Sequence, residues 1–186
     1  MGRRDDTKDT RIESSPIVTC IQGWLVGVGN AGSSLIPYEI GIRCGTGART
    51  YSGPISKDLV ESFHLAAWAV DVCRSTGTDR LASYDLHLHF PLNHVDACGP
   101  SCRLSLANSL LQAWPEAARY APLTTILLGD LTLQGDVLPV GRLEHKIEAA
   151  RNAGLTRIVV PLASGRDYPG TVGVSSLHDL MASVSV

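Results

Sequence analysis

Seven consecutive residues, Tyr84-Asp85-Leu86-His87-Leu88-His89-Phe90, alternate apolar and polar without a break. In an extended chain successive side chains point to opposite faces, so Tyr84, Leu86, Leu88 and Phe90 share one face and Asp85, His87 and His89 the other. This is the strand of a sheet with one covered face, and it constrains the fold more than any other stretch. Upstream, 17–21, 24–26 and 35–42 have the same β-type character, with a glycine-rich turn before the last. That turn, Gly27-Val28-Gly29-Asn30-Ala31-Gly32, spells GxGxxG. A dinucleotide site would need a helix after it, whereas Pro37 and the alternation around it predict another strand, so the turn reads as a hairpin loop.

Helical spacing appears in three places. Ser56 can cap a helix whose stripe is Val60, Phe63, Ala67 and Val70. A second helix follows Pro100-Ser101, with Leu104, Ala107, Leu111 and Trp114 inward and Pro115 closing it. A third spans about residues 142–153 and ends on Gly154, leading to the apolar strand 157–161. Residues 123–128, 131–134 and 137–140 read as short extended segments, the last two hinged at Gly135-Asp136, and 176–183 as a short final helix. Strands and helices intermix with no internal repeat, so the fold class is α/β or α+β, one domain over residues 16–186 behind a polar, aperiodic tail at 1–15.

Composition narrows the partners. A formal net charge of −2 over 186 residues offers no basic excess for nucleic acid or an anionic membrane. No apolar run reaches the roughly 18 residues of a membrane span, and the charged start lacks the apolar core of a secretory signal, so an intracellular, cytoplasmic protein is expected. Five cysteines, an odd number without secretory context, are expected as free thiols.

The chemistry centres on Cys98-Gly99-Pro100-Ser101-Cys102-Arg103 and on Lys146, 45 residues beyond Ser101. A serine where a loop turns into a helix can present its hydroxyl to a substrate. A hydroxyl is a weak nucleophile until a base takes its proton, and a lysine does so only when neutral. At an unperturbed pKa about one lysine in 2,500 is neutral at pH 7, so a working base needs about 4 kcal/mol of help, which desolvation can supply. Lys146 has Leu143 one turn before it, Ile147 beside it and Ala150 one turn after, at the edge of an apolar stripe. The chain uses thirteen arginines and only three lysines, and arginine could not be a base. Structural readings compete: Ser101 as a helix N-cap, Lys146 as a snorkelling surface lysine. His87, His89 and His94 with Cys98 and Cys102 admit a loose zinc reading, though Cys-x-x-x-Cys lacks the usual paired spacing and also misses the two-residue gap of a redox motif. A Ser-His-Asp arrangement through His94 or His145, or a Cys98 or Cys102 nucleophile, stays open at this level.

Taken together, YDLHLHFP, a loop, GPS opening a helix, and LLGDLTLQGDVLPVGRLEHKIEAARNAGLTRIVVP resemble, in order and spacing, the proteolytic domain of Lon proteases. GWLVGVGNAGSSLIPYEIGI and ISKDLVESFHLAAWAV resemble its first half, so the likeness covers about residues 16–186. It implies mixed sheets with helices packed on them, related to the ribosomal-protein-type βαβ fold, and a serine endopeptidase whose nucleophile falls on Ser101 and whose base falls on Lys146, with no cofactor and no metal. Gly99, Pro100 and Cys102 would shape the site, the oxyanion resting on backbone N–H groups around Ser101, to which Pro100 contributes none. The implied substrates are unfolded proteins or peptides, and the implied assembly a homo-hexamer. Lacking a Walker A sequence, the chain is expected to be an excised or stand-alone peptidase domain or to work with a separate ATPase. The alternative is an inactive domain serving assembly or binding. Four positions depart from the family: Cys98 for an aspartate, Arg103 for a glycine, Leu128 for a threonine facing the lysine, and Arg142 for the second glycine of the Pro-x-Gly-Gly turn.

Overall fold

The computed structural model describes residues 18–29, 32–74, 81–92, 100–112, 124–165 and 167–183. The polar tail, His94, Cys98, Gly99 and Trp114 lie outside them. Two long strands, β1 (Val18–Gly29) and β2 (Gly32–Cys44), pair antiparallel down to Gly29 opposite Gly32. The GxGxxG stretch thus turns a hairpin. β3 (Arg49–Ser52) and β4 (Tyr84–His89) complete a four-stranded sheet in the order β1-β2-β4-β3, with β2 and β4 antiparallel and β3 and β4 parallel. One face of this sheet is buried, as the alternation requires: Ile36, Tyr38, Ile40 and Ile42 from β2, Leu86 and Leu88 from β4.

Between β3 and β4 runs α1 (Lys57–Cys73), capped where expected, the Ser56 hydroxyl accepting from Leu59 N–H at 3.2 Å. Its buried stripe is Leu59, Phe63, Ala66, Ala67 and Val70, with Leu59 in the place expected for Val60. Full burial of each larger side chain contributes about 1.5–3 kcal/mol. The chain then forms a 3₁₀ turn at Pro100–Cys102 and α2 (Arg103–Leu111). Here the amphipathic expectation fails, because every residue from 104 to 111 is buried. The helix lies inside the main core, shared with the sheet face, α1 and the last helix.

The second half builds a three-stranded parallel sheet, β5-β8-β9, from β5 (Thr125–Leu127), β8 (Arg157–Pro161) and β9 (Thr171–Val174), together with a small hairpin of β6 (Asp130–Leu131) and β7 (Val137–Leu138). β5 is buried throughout and β8 from Ile158 onward, which is why both read as plain apolar runs. α3 (Leu143–Asn152) covers this sheet, closing over Val26, Ile126, Leu128, Ile158 and Val160 with Leu143, Ile147 and Ala150. It ends at Gly154, whose φ of +79° suits a glycine. Two short helices, α4 (Leu162–Gly165) and α5 (Leu177–Ser183), flank β9. The result is the mixed α+β architecture expected. Among the described residues no helix is long and apolar enough to cross a membrane.

The polar face of β4 does structural work of its own. The Asp85 carboxylate accepts from Thr46 N–H at 2.9 Å and Ala48 N–H at 3.0 Å, fixing the loop between β2 and β3, and pairs with Arg43 at 3.3 Å. Those backbone N–H groups hold its carboxyl below the ordinary value of 3.8. A carboxyl depressed in the folded state adds stability that is complete above the ordinary value and is lost as pH falls through the folded one. Thermal melts of the parent and Asp85→Asn should therefore differ most above about pH 5 and converge as the pH drops toward about 2. A gap that stays constant across that range would show that the carboxylate charge is irrelevant to the loop.

Candidate active site

Ser101 lies in the 3₁₀ turn before α2, half-buried, with the turn against α1 and β6. The N-cap position is held by Cys102, not Ser101, and no side chain caps the helix. The competing N-cap reading of Ser101 is therefore not what forms. Pro100, without an N–H, precedes Ser101, so the N–H groups at the start of this helix belong to Ser101 and the residues after it.

Lys146 stands on the inner side of α3 and is only 7% exposed. Its neighbours on that helix, Leu143, Ile147 and Ala150, are buried in the same apolar cluster as Leu128. The sequence put this lysine at the edge of the stripe, and packing took it inside. The snorkelling alternative required a head group left in water, which a residue this buried does not provide. Leu128, at the departing position, is 2% exposed in that cluster.

The two elements meet on one short segment. Leu128 packs in the α3 cluster, while the next residue, Gly129, accepts from Leu104 N–H of α2 at 3.2 Å. A Cβ on Gly129 would sit 2.8 Å from a Leu104 methyl and 3.1 Å from a Val137 methyl, so a larger residue there would make the Leu104 side chain shift. The third residue, Asp130, accepts from Arg103 Nη1 at 2.9 Å and from its own neighbour Leu131 N–H at 2.7 Å. Arg103 is thus latched to β6. Asp130 and Gly129 had no signal in the spacing; their role exists only because a strand end 27 residues away meets the first turn of α2.

Arg142 shows what the other departure does. It adopts φ 54° and ψ 37°, the left-handed conformation that favours glycine, and is the one non-glycine residue with positive φ among those described. It precedes α3 directly, and its carbonyl accepts from Lys146 N–H at 3.2 Å. Arg142→Gly should relieve roughly 1 kcal/mol of backbone strain. Calorimetry should register this as a rise in melting temperature of about 2–4 °C; a fall would mean that the arginine side chain contributes more than its backbone costs.

The remaining candidates do not converge. His87 and His89 stack with ring centroids 6.5 Å apart, their nitrogens engaged by hydroxyls: Thr50 Oγ1 at His87 Nδ1, 2.8 Å, and Ser52 Oγ between His87 Nε2 at 2.8 Å and His89 Nδ1 at 2.7 Å. Cys102 is instead buried in the main core, so the loose zinc set is not assembled from these three, and among the described residues no group of three His, Cys, Asp or Glu side chains could hold a metal. His94 and Cys98 of that set are outside the described residues. His145 is exposed on α3, lining a cleft beside β2 with Glu148 and Asn152. The described cysteines, Cys20, Cys44, Cys73 and Cys102, are in no disulfide.

Residues 2–173 match the family model for the Lon protease (S16) C-terminal proteolytic domain. Similar proteins include the peroxisomal Lon protease homolog 2 of Pongo abelii, 31% identical over 150 residues, which make up 76% of this chain and 17% of that protein. The Lon protease of Halothermothrix orenii is 32% identical over 146 residues, 74% of this chain and 18% of its own. That of Aster yellows witches'-broom phytoplasma is 29% identical over 168 residues, 83% and 21%. The chain spans about a fifth or less of the length of these relatives.

Proposed function

The chain belongs to the Lon protease (S16) proteolytic-domain family, and from that premise we propose that it is a serine peptidase in which Ser101 is the nucleophile and Lys146 its base. The observation that carries this reading is the burial of Lys146, 7% exposed, on the same helix whose Leu143 and Ile147 enter the apolar cluster. Burial in apolar surroundings penalises the ammonium relative to the amine, and the amine is the form a base requires.

In the proposed cycle Lys146 Nζ takes the Ser101 Oγ proton as Oγ attacks the scissile carbonyl. The negative charge that develops is met by backbone N–H groups of Ser101 and Cys102 at the start of α2, where the helix dipole adds to them. The ammonium returns its proton to the leaving amine, and an acyl-enzyme forms that water later hydrolyses. Substrates would be unfolded proteins or peptides. A separate ATPase partner, a homo-oligomeric ring and a cytoplasmic setting belong to the same proposal, by resemblance.

The Arg103–Asp130 latch favours one second reading, because it places a large charged side chain two residues after the nucleophile, where the family has glycine. This would suit a domain kept for assembly or binding. Covalent labelling separates the two. A fluorophosphonate should modify the parent chain at Ser101, located by peptide mass mapping, and should leave Ser101→Ala unmodified there. If the parent remains unlabelled and cleaves no unstructured peptide, the assembly reading replaces the peptidase one.

A further inference from the structure

Behind the candidate site, α2 faces β1 and β5 across a contact that is unusually polar for a core. Tyr38 is 1% exposed, and its hydroxyl lies 2.9 Å from the Ser105 carbonyl and 2.8 Å from Ser109 Oγ. A carbonyl can only accept, so Tyr38 donates to Ser105 and must accept from the Ser109 hydroxyl. Ser105 Oγ donates to the Trp24 carbonyl at 3.0 Å. These groups satisfy one another. Two neighbours do not: Asn108 Oδ1 and Thr125 Oγ1, on residues 4% and 8% exposed, are buried without a hydrogen-bond partner among the described residues.

Both residues line one small cavity of about 20 Å³, with Ser109, Gln22 and Gln112 also on its wall. No charged side chain is on that wall. The space needed for one water is about 10–15 Å³ on this scale, and a buried water requires two to four polar partners. We propose that this cavity is the binding site of a single ordered water that bridges Asn108 Oδ1 and Thr125 Oγ1 and so ties α2 to β5. The bond count closes. The water donates one proton to Asn108 Oδ1, which can only accept, and either accepts from or donates to Thr125 Oγ1. The lone pairs of Ser109 Oγ, whose proton goes to Tyr38, offer a further acceptor. With no charged side chain on the wall to balance an ion, the ligand is neutral and of water size. The bridge joins α2, the helix that follows the Ser101 turn, to the strand that leads into Leu128, Gly129 and Asp130, and it stands whether or not the domain cleaves peptides.

Thr125→Val gives the test a sign, since it keeps shape and removes only the hydroxyl. Around a bridging water the substitution takes away a partner and leaves Asn108 dependent on a poorly held water, so the melting temperature should fall by roughly 2–4 °C. In a dry cavity the same change deletes an unsatisfied group, and the melting temperature should hold or rise, which would overturn the proposal. A crystal structure of the unmodified chain supplies the direct reading: one solvent peak within about 3.2 Å of both oxygens is expected, and a featureless cavity would refute the water. Neither measurement involves peptidase activity.

Discussion

Lys146→Met is expected to cut turnover of an unstructured peptide by about 10²- to 10⁴-fold, the range lost when a positioned general base is removed. Methionine keeps most of the lysine stem in this buried position, so the packing of α3 should survive and the variant should still unfold in one cooperative transition. Ser101→Ala, which removes the attacking oxygen itself, should lose at least as much, and the double variant little more than either alone, because the two groups act as one unit. Lys146→Arg adds a discriminating case: it restores a cation but not a base, so activity should stay lost. Turnover within tenfold of the parent for Lys146→Met would remove this lysine from the chemistry.

The largest stability effect is expected at Tyr38. This side chain passes over Gly23, where an added Cβ would lie 2.4 Å from the ring and hydroxyl, tilts against Phe90 at 6.1 Å, and ends in the hydrogen bonds to α2. Burial pushes its hydroxyl well above the ordinary tyrosine range, so it is a neutral donor throughout the accessible pH range. Tyr38→Ala deletes a buried ring and leaves the Ser105 and Ser109 groups with one partner fewer. A cost of about 3–5 kcal/mol follows, a large share of the 5–15 kcal/mol typical of a whole domain. Tyr38→Phe keeps the ring and isolates the hydroxyl, costing about 1–3 kcal/mol. Urea titration of both variants resolves the two contributions. Should Tyr38→Phe cost as much as Tyr38→Ala, the ring would be a spectator and the hydrogen bonds would carry the sheet-to-helix contact.

Local rules were enough for much of the chain. The alternation in β4, the Ser56 cap on α1, the hairpin at the glycine-rich turn and the Gly154 stop on α3 are all set within a few residues, and each forms as the sequence predicts. β3 and β9 were not legible, since four-residue strands such as Arg49–Ser52 and Thr171–Val174 gain their pairing from β4 and β8, not from their own pattern. α2 was misjudged in kind. The spacing predicts one inward stripe with Leu104, Ala107 and Leu111, but Tyr38, Trp24 and the cavity by Thr125 meet its serines and asparagine from other elements and make an all-round buried helix.

The same division holds at the site. By itself the sequence determined which residue types were available: one serine after Gly-Pro, one lysine beside an apolar stripe, an arginine where the following turn wants glycine. Those are matters of covalent identity and short-range spacing. Only the tertiary structure decided that Lys146 leaves water, that the N-cap position falls to Cys102 and not to Ser101, and that Arg103 finds Asp130. Burial and partnership are set by segments far apart in the chain that pack together, and the energy that removes an amine from solvent comes from the surrounding core, not from the helix that bears it.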